Sequence, residues 1–289
     1  MNGLEPQGDT LGDTLPQGFA PMKLMSDSDE GEDKGDDGPD VVTCRGGFES
    51  SPDWKRWIKG ALIGAGSFGK VYLGMDAENG LLMAVRQVEL PTGSAPNQER
   101  KTSMLSALEQ EVKPLKNLQH PNIVRYLYSS LDDDVLNIFL EHMPGGSVAA
   151  LLRDYGAFEE TLVENFVRQT LEGLHYLHER DVIHRDIKGA NILVDNNGNI
   201  KISDFGMSRK VYESSVFWMA PEVVKQIAHT LKADIWSVGC LVVEMLTGEH
   251  PWAQLTQMQA FFKVKKHRLQ AKPTNTSPHW FFFETNDTL

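Results

Sequence analysis

The chain has little cysteine and no long apolar runs. Its 289 residues include only Cys44 and Cys240, too few for the disulfide frameworks that stabilise small secreted domains. No apolar run approaches the roughly 20 residues that a membrane-spanning helix requires. The N-terminus also lacks the charged and then apolar pattern of a signal peptide. We therefore expect a reduced, cytoplasmic protein without a membrane span.

Basic residues are scarce relative to acidic ones. The 28 Lys and Arg against 40 Asp and Glu give a net charge of -12, which argues against a nucleic-acid binder because such proteins carry a basic surface. Eight of the acidic residues lie between Asp27 and Asp40, with Lys34 as the one lysine there. A segment so poor in apolar residues cannot offset the entropy lost on ordering. We expect residues 1–52 to form a disordered acidic arm, either a solvated linker or a docking segment.

Hydrophobic periodicity predicts strands first and helices later. Strands are expected over residues 57–63, 71–75, 81–90 and 135–140. Helical spacing covers residues 103–118 and 163–177, and residues 233–246 are apolar on nearly every face, which is typical of a buried central helix. This order predicts an α+β fold with a strand-rich N-terminal lobe, a helical C-terminal lobe and a cleft between them.

A glycine-rich turn lies between the first two predicted strands. Residues 64–71 read G-A-G-S-F-G-K-V and match G-x-G-x-x-G-x-V. Glycines let backbone N–H groups approach phosphate oxygens closely, although a merely structural turn also fits. Dinucleotide-binding folds use a similar motif but place a helix directly after it. Because a strand is predicted here instead, the turn is expected to be a hairpin that covers a nucleotide.

A second motif carries candidate catalytic groups. Residues 184–191 read H-R-D-I-K-G-A-N, and D-F-G follows at residues 204–206. Asp186 could accept a hydroxyl proton, while Lys188 could stabilise charge on a transferring phosphoryl group. Asn191 and Asp204 offer the oxygen ligands that Mg²⁺ prefers beside substrate phosphates. Any one of these residues could be a loop cap or a surface charge, but their order and spacing agree with one chemistry.

Together with A-P-E at residues 220–222, these motifs resemble the protein kinase family. Lys188 after the aspartate is the pattern of serine/threonine kinases. Longer phrases, such as HRDIKGANILVDNNGNIKISDFG and ADIWSVGCLVVEMLTGEHPW, resemble the MAP kinase kinase kinases of the fungal sterile-type, MEKK-like branch. The resemblance implies a bilobal kinase fold, ATP and Mg²⁺ as cofactors, and MAP kinase kinases as protein substrates. An upstream kinase or scaffold is a further expected partner.

The resemblance also implies domain limits. The kinase domain is expected at residues 53–262, with the N-lobe at about 53–141 and the C-lobe at about 142–262. The C-lobe is expected to be truncated, because the family's last helices are not recognisable after Lys263. Residues 263–289 are basic and aromatic. They form either a partner-binding tail or a non-homologous one, from an altered reading frame or a retained intervening sequence.

Site residues follow from the resemblance position by position. Ile63, Val71 and Ala84 are expected to pack on adenine, Leu140 to guard the back of the pocket, and Arg185 to read an activation-loop phosphate. Asp234 is expected to anchor the catalytic loop. The nucleotide-binding set implied by the resemblance is Ile63, Gly64, Ala65, Gly66, Ser67, Phe68, Gly69, Val71, Ala84, Arg86, Glu141, Met143 and Asp204. The catalytic set is Asp186, Lys188, Asn191, Arg86 and Glu111, and the metal ligands are Asn191 and Asp204.

Departures from the family pattern affect both lobes. Arg86 stands where the family has a phosphate-holding lysine, and a planar guanidinium is a different donor from a compact ammonium. Either the arginine is tolerated or transfer is weakened. Pro114 lies three residues after Glu111, where a proline either kinks the helix or ends it at little cost.

The segment between D-F-G and A-P-E is also a departure, because it has only thirteen residues. Ser215 matches the residue before the substrate-reading loop. Ser208, Tyr212 and Ser214 are candidate phosphorylation sites.

The sequence is therefore consistent with two functions. One is an active serine/threonine kinase early in a MAP kinase cascade, for which Asp186, Asn191 and Asp204 are present. The other is a catalytically impaired kinase fold that binds nucleotide or partner proteins, favoured by Arg86 and the missing helices. An unrelated nucleotide-binding domain is disfavoured by the strand expected after the glycine turn.

Overall fold

The first half of the chain folds into an antiparallel sheet. The computed structural model describes residues 41–43, 56–66, 69–204, 213–227, 229–266, 271–272 and 282–283. The sheet strands are β1 (Val41–Thr43), β2 (Arg56–Gly66), β3 (Gly69–Asp76), β4 (Leu82–Glu89), β5 (Tyr126–Asp132) and β6 (Val135–Glu141). They lie in the order β1-β2-β3-β4-β6-β5.

The predicted strands are confirmed, and the sheet has two further strands. β5 was not predicted, because the polar residues Ser129 and Ser130 interrupt its apolar pattern. β1 pairs with β2 through Val41 and Ile58, inside the segment expected to be a disordered arm. Residues 1–40 and 44–55 lie outside the described residues, so the prediction for the rest of the arm stays a prediction.

Helix α1 (Ala95–Leu115) covers one face of the sheet. It begins before the predicted start at Ser103, because Pro96 fits the first turn of a helix, where its missing N–H is not needed. Leu108 and Val112 pack against β4 and β6 in one apolar cluster. Pro114 lies in the last turn of the helix, which ends at Leu115 rather than continuing to the predicted Leu118.

The second half of the chain is helical, which confirms the two-lobed α+β fold. The helices are α2 (Val148–Tyr155), α3 (Glu160–His178), α4 (Pro221–Val224), α5 (Leu231–Thr247) and α6 (Gln257–Lys266). Short 3-10 helices span Gly189–Asn191 and Glu213–Trp218. The small strands are β7 (Ile192–Val194), β8 (Ile200–Ile202), β9 (Ala271–Lys272) and β10 (Phe282–Phe283). In the described part of the chain, no helix has the length and apolarity to cross a bilayer.

Helix α5 is central but not buried all round. Val238 and Leu241 lie in the main core of the C-terminal lobe with residues of α3. Trp236 and Cys240 pack on another side in a second cluster, and the remaining side leaves Ile235 49% and Leu246 38% exposed. The prediction of burial on nearly every face was therefore wrong for this side of the helix.

Helix α6 runs through the predicted start of the tail. Val264 is fully buried and packs in one cluster with Trp236 and Cys240 of α5. Residues 263–266 are thus part of a packed helix.

One carboxylate of α5 binds the backbone that leads into the cleft. Asp234 is 1% exposed. Its Oδ2 accepts the His184 N–H at 2.9 Å and lies 2.8 Å from His178 Nε2, while its Oδ1 accepts the Arg185 N–H at 2.8 Å. Arg185 has a φ of 73°, a left-handed conformation that costs energy for a long side chain. The carboxylate therefore stabilises a strained backbone.

The surroundings of Asp234 favour its charged form. Burial raises the pKa of this carboxyl group, but the hydrogen bond from His178, the nearby His184 and the two backbone N–H groups outweigh burial, so the pKa lies below its ordinary value. A lowered pKa in the folded state stabilises the fold above the unfolded pKa of about 3.9. This stabilisation is lost as the pH falls through the folded pKa.

We predict that Asp234→Asn lowers the free energy of unfolding by about 2 kcal/mol at neutral pH, because an amide cannot accept hydrogen bonds at both polar atoms. Chemical denaturation at about pH 7 and about pH 3 should show the difference between parent and variant shrinking in acid. The control is Asp154→Asn, which alters a carboxylate that pairs with the exposed Arg153 and should change stability by less than about 0.5 kcal/mol. A difference that stays constant across this pH range would contradict the prediction.

Candidate functional site

Three predicted catalytic residues lie in contact in the HRD segment, residues 184–191. Lys188 Nζ lies 2.8 Å from Asp186 Oδ2, and Asn191 Nδ2 donates to the same oxygen at 2.9 Å. Asn191 Nδ2 also donates to the Asp186 carbonyl at 2.8 Å. Asp186 Oδ1 is buried and has no hydrogen-bond partner among the described residues. One carboxylate oxygen is thus held in place while the other is available to accept a proton.

The end of β8 is bound to the same segment. The Ser203 N–H and Oγ both donate to the Asn191 carbonyl, at 2.9 and 3.1 Å. His184 Nε2 lies 2.9 Å from the Ser203 carbonyl, so this nitrogen carries the proton, while Nδ1 accepts the Asp186 N–H at 3.2 Å. These bonds place Asp204, the next residue, beside Asn191.

Asn191 and Asp204 fit a hard divalent cation. Both side-chain hydrogen bonds of Asn191 to described residues use its amide nitrogen, so its amide oxygen is left for another ligand. Asp204 supplies a carboxylate that is only partly buried, with its side chain 28% exposed. An amide oxygen and a carboxylate are ligands that Mg²⁺ accepts together with phosphate oxygens.

Arg86 reaches the same carboxylate from the other lobe. It lies on β4, is 8% exposed and forms an ion pair with Asp204 through its NH2 group. The family resemblance implies that Arg86 also binds the nucleotide phosphates and pairs with Glu111, and its contact with phosphates stays a prediction. Glu111 lies on α1, and its side chain is outside the described residues, so that pair stays a prediction. The observed pair joins the sheet to the end of β8.

A small apolar cavity lies behind this ion pair. Leu140, the predicted back wall of the nucleotide pocket, lines the cavity together with Arg86 and Asp204. The other lining residues are Leu115 of α1, Val124 between α1 and β5, Tyr126 of β5, Ile138 of β6, and Ser203 directly after β8. Leu140 therefore lies at the inner end of the cleft.

The glycine-rich turn is a hairpin, as predicted. β2 and β3 pair through Gly64 with Val71 and through Gly66 with Gly69. Gly69 has a φ of 115°, and a Cβ there would collide with the Gln87 carbonyl oxygen on β4, so only glycine fits. Because a strand follows the turn, the helix required by dinucleotide-binding motifs is excluded here.

The predicted adenine contacts lie on the same strands. Ile63 of β2 is 47% exposed, and Val71 of β3 and Ala84 of β4 are half-buried. Ala65 lies opposite Lys70 on the hairpin. Two other residues of the predicted nucleotide site, Ser67 and Phe68, lie outside the described residues.

The connection between the lobes carries a charged contact that the sequence did not predict. The Glu141 N–H donates to the Arg125 carbonyl at 2.9 Å. The Glu141 carboxylate accepts two hydrogen bonds from Lys201 of β8, at 2.8 and 2.9 Å. Met143 follows, 6% exposed. The only sequence signal for this pair was a lysine in an otherwise apolar three-residue strand.

Several predicted regulatory residues cannot be placed. Ser208 and Tyr212 lie outside the described residues, and the side chains of Ser214 and Ser215 are not described. Arg185 is described, and its backbone binds Asp234. Its predicted role in reading a phosphate stays a prediction.

Comparison with known proteins agrees with this geometry. A family model, protein kinase domain, matches residues 57–285. The mitogen-activated protein kinase kinase kinase MST11 of Pyricularia oryzae is 55% identical over 250 residues, covering 79% of this chain and 27% of MST11. The serine/threonine-protein kinase STE11 of Saccharomyces cerevisiae is 47% identical over 271 residues, covering 78% of this chain and 37% of STE11.

A plant relative has a comparable match. The mitogen-activated protein kinase kinase kinase ANP1 of Arabidopsis thaliana is 52% identical over 209 residues, covering 68% of this chain and 31% of ANP1. The chain thus spans 27% to 37% of the length of these three relatives. With the hairpin, the HRD segment and Asp204 in their family positions, the chain belongs to the protein kinases, and within them to the serine/threonine kinases of the MAP kinase kinase kinase type.

Proposed function

We propose that this chain transfers the γ-phosphate of Mg²⁺-ATP to serine or threonine residues of MAP kinase kinases. The observation that carries the proposal is the state of Asp186. Its Oδ2 is held by Lys188 and Asn191, and its buried Oδ1 has no partner in the described part of the chain. An acceptor hydroxyl that donates to Oδ1 would be oriented toward the phosphate and could pass its proton to the carboxylate.

The groups around Asp186 have complementary roles. Lys188 would stabilise negative charge on the transferring phosphoryl group, because its ammonium already lies within 2.8 Å of the catalytic carboxylate. Asn191 and Asp204 would hold Mg²⁺, which neutralises phosphate charge when it is bound. The hairpin around Gly64 would cover the phosphates with backbone N–H groups.

The substrate class rests on the relatives. MST11 and ANP1 are named mitogen-activated protein kinase kinase kinases, and the kinase next in such a cascade is a MAP kinase kinase. Because the relatives are named kinases, they favour a catalyst over the binding-only alternative. An upstream kinase or scaffold, acting on the segment between Asp204 and Pro221, is the further partner we propose.

We predict that Asp186→Asn lowers phosphate transfer by about 10²–10⁴-fold, because the amide cannot accept the hydroxyl proton. The assay uses the full chain, Mg²⁺-ATP and a purified MAP kinase kinase, with labelled phosphate counted on serine and threonine. The control is Asp181→Asn, which makes the same change at an exposed position five residues earlier and should retain parental activity. If the parent chain transfers nothing while ATP raises its melting temperature, the binding-only alternative is supported and the proposal fails.

We predict that Arg86→Lys raises transfer and lowers the KM for Mg²⁺-ATP, each by about tenfold. The guanidinium binds Asp204 through its NH2 group and so competes with the metal for that carboxylate, whereas an ammonium offers only a point charge. A tenfold change corresponds to about 1.4 kcal/mol, the size of one charged hydrogen bond. The matched control is Arg153→Lys, at a side chain 73% exposed on α2. Equal or lower activity in Arg86→Lys would show that the arginine serves the site as well as lysine does.

A further inference from the structure

Helix α5 contributes a second buried carboxylate, Glu244, which is 6% exposed. Its Oε2 accepts the Gly189 N–H at 3.0 Å and the Trp218 Nε1–H at 2.8 Å. Gly189 belongs to the HRD segment, and Trp218 ends the 3-10 helix that precedes A-P-E. A single oxygen atom thus joins two segments that are far apart in the sequence.

On the catalytic side, Glu244 satisfies the first N–H of a short 3-10 helix. Gly189 begins the turn Gly189–Asn191, and Lys188 before it provides no side-chain cap. The first N–H groups of a helix need an acceptor from outside, which Glu244 supplies. A Cβ at position 189 would lie 2.6 Å from Glu244 Oε1, so the carboxylate can approach this closely only because residue 189 is glycine.

On the other side, Trp218 is bound to α5 at two points. Its indole N–H donates to Glu244, and its carbonyl accepts the Ser237 hydroxyl at 2.8 Å. The preceding Phe217 stacks on His250, with ring centroids 3.9 Å apart. The end of the 3-10 helix is therefore held at backbone and side chain, one residue before Met219 and the A-P-E motif.

The two hydrogen bonds of Glu244 matter for its stability in the fold because the carboxyl group is buried. Burial raises the pKa of this carboxyl group, and the bonds from Gly189 and Trp218, with the nearby His250 and Lys188, oppose that effect. Removing the carboxylate would leave the buried Gly189 N–H and the Trp218 indole N–H without this acceptor.

We propose that Glu244 is a positioning residue, which fixes the distance between the catalytic segment around Asp186 and the segment at Trp218 that faces the protein substrate. Gly189 lies between Lys188 and Asn191, so a shift of Gly189 moves both groups that hold Asp186. Trp218 precedes the motif at which an acceptor peptide would be aligned. The substrate-facing part of this inference rests on the proposed function.

The kinetic test compares Glu244→Ala with Glu244→Gln in the full chain. For Glu244→Ala we expect kcat to fall about tenfold with the protein substrate, while the KM for Mg²⁺-ATP stays within about twofold, because misplacement affects the acceptor more than the nucleotide. Glu244→Gln should regain most of the rate, since its amide oxygen can accept both hydrogen bonds. The control for lost stability is Val238→Ala, buried on the same helix, which should lower the melting temperature without changing kcat per folded molecule.

The second test needs no transfer activity. Hydrogen exchange, followed by mass spectrometry, should become faster in the peptide containing Gly189 in both Glu244→Ala and Trp218→Phe, because removing either partner loosens the shared contact. Glu244→Gln and Val238→Ala should leave this peptide at the parental rate under native conditions.

The outcomes separate the two proposals. A parent chain without transfer would overturn the proposed function, and the exchange rates alone would then decide the role of Glu244. Unchanged exchange at Gly189 in Trp218→Phe would overturn the positioning role. A normal kcat in Glu244→Ala, or no recovery in Glu244→Gln, would overturn it as well.

Discussion

The catalytic segment depends on a buried carboxylate that is not itself part of the reaction. Asp234 accepts hydrogen bonds from the backbone of His184 and Arg185, and it does so from the core of the C-terminal lobe. Without this acceptor, the left-handed conformation at Arg185 would be unfavourable. The orientation of the Asp186 side chain, which follows Arg185, would then no longer be fixed. The position of the reactive groups is therefore set by backbone hydrogen bonds to a helix, which a rigid core keeps in place.

Charged contacts also link the two lobes. Arg86 from the sheet binds Asp204, and Lys201 of β8 binds Glu141 at the connection between the lobes. Both pairs are partly buried, so solvent screens them less than it would screen surface pairs. Because Lys201 and Asp204 lie three residues apart, the end of β8 is held at two points against the N-terminal lobe. Asp204, the proposed metal ligand, is thus tied to the sheet through Arg86.

Much of the fold was predictable from local patterns. Short apolar runs between turn residues predicted β2, β3, β4 and β6, and helical spacing predicted α3, because each pattern is decided by neighbours in the sequence. β5 was missed, since Ser129 and Ser130 interrupt its apolar pattern, although Ser130 is buried in the strand that pairs with β6. The burial of α5 was overestimated, because apolar composition does not say which sides of a helix find a partner.

In the site, too, some features follow from the local sequence and others only from tertiary packing. The sequence alone determined which groups are present, since Asp186, Lys188 and Asn191 are close in the chain and their spacing implies one chemistry. Glu244 was not among the predicted site residues, because an acidic residue in an apolar helix does not reveal partners such as Gly189 and Trp218. The pairing of Arg86 with Asp204 was likewise decided by the tertiary structure. Such contacts join residues from 26 to 118 positions apart, so they form only when packing brings the elements together, and no local pattern can specify them.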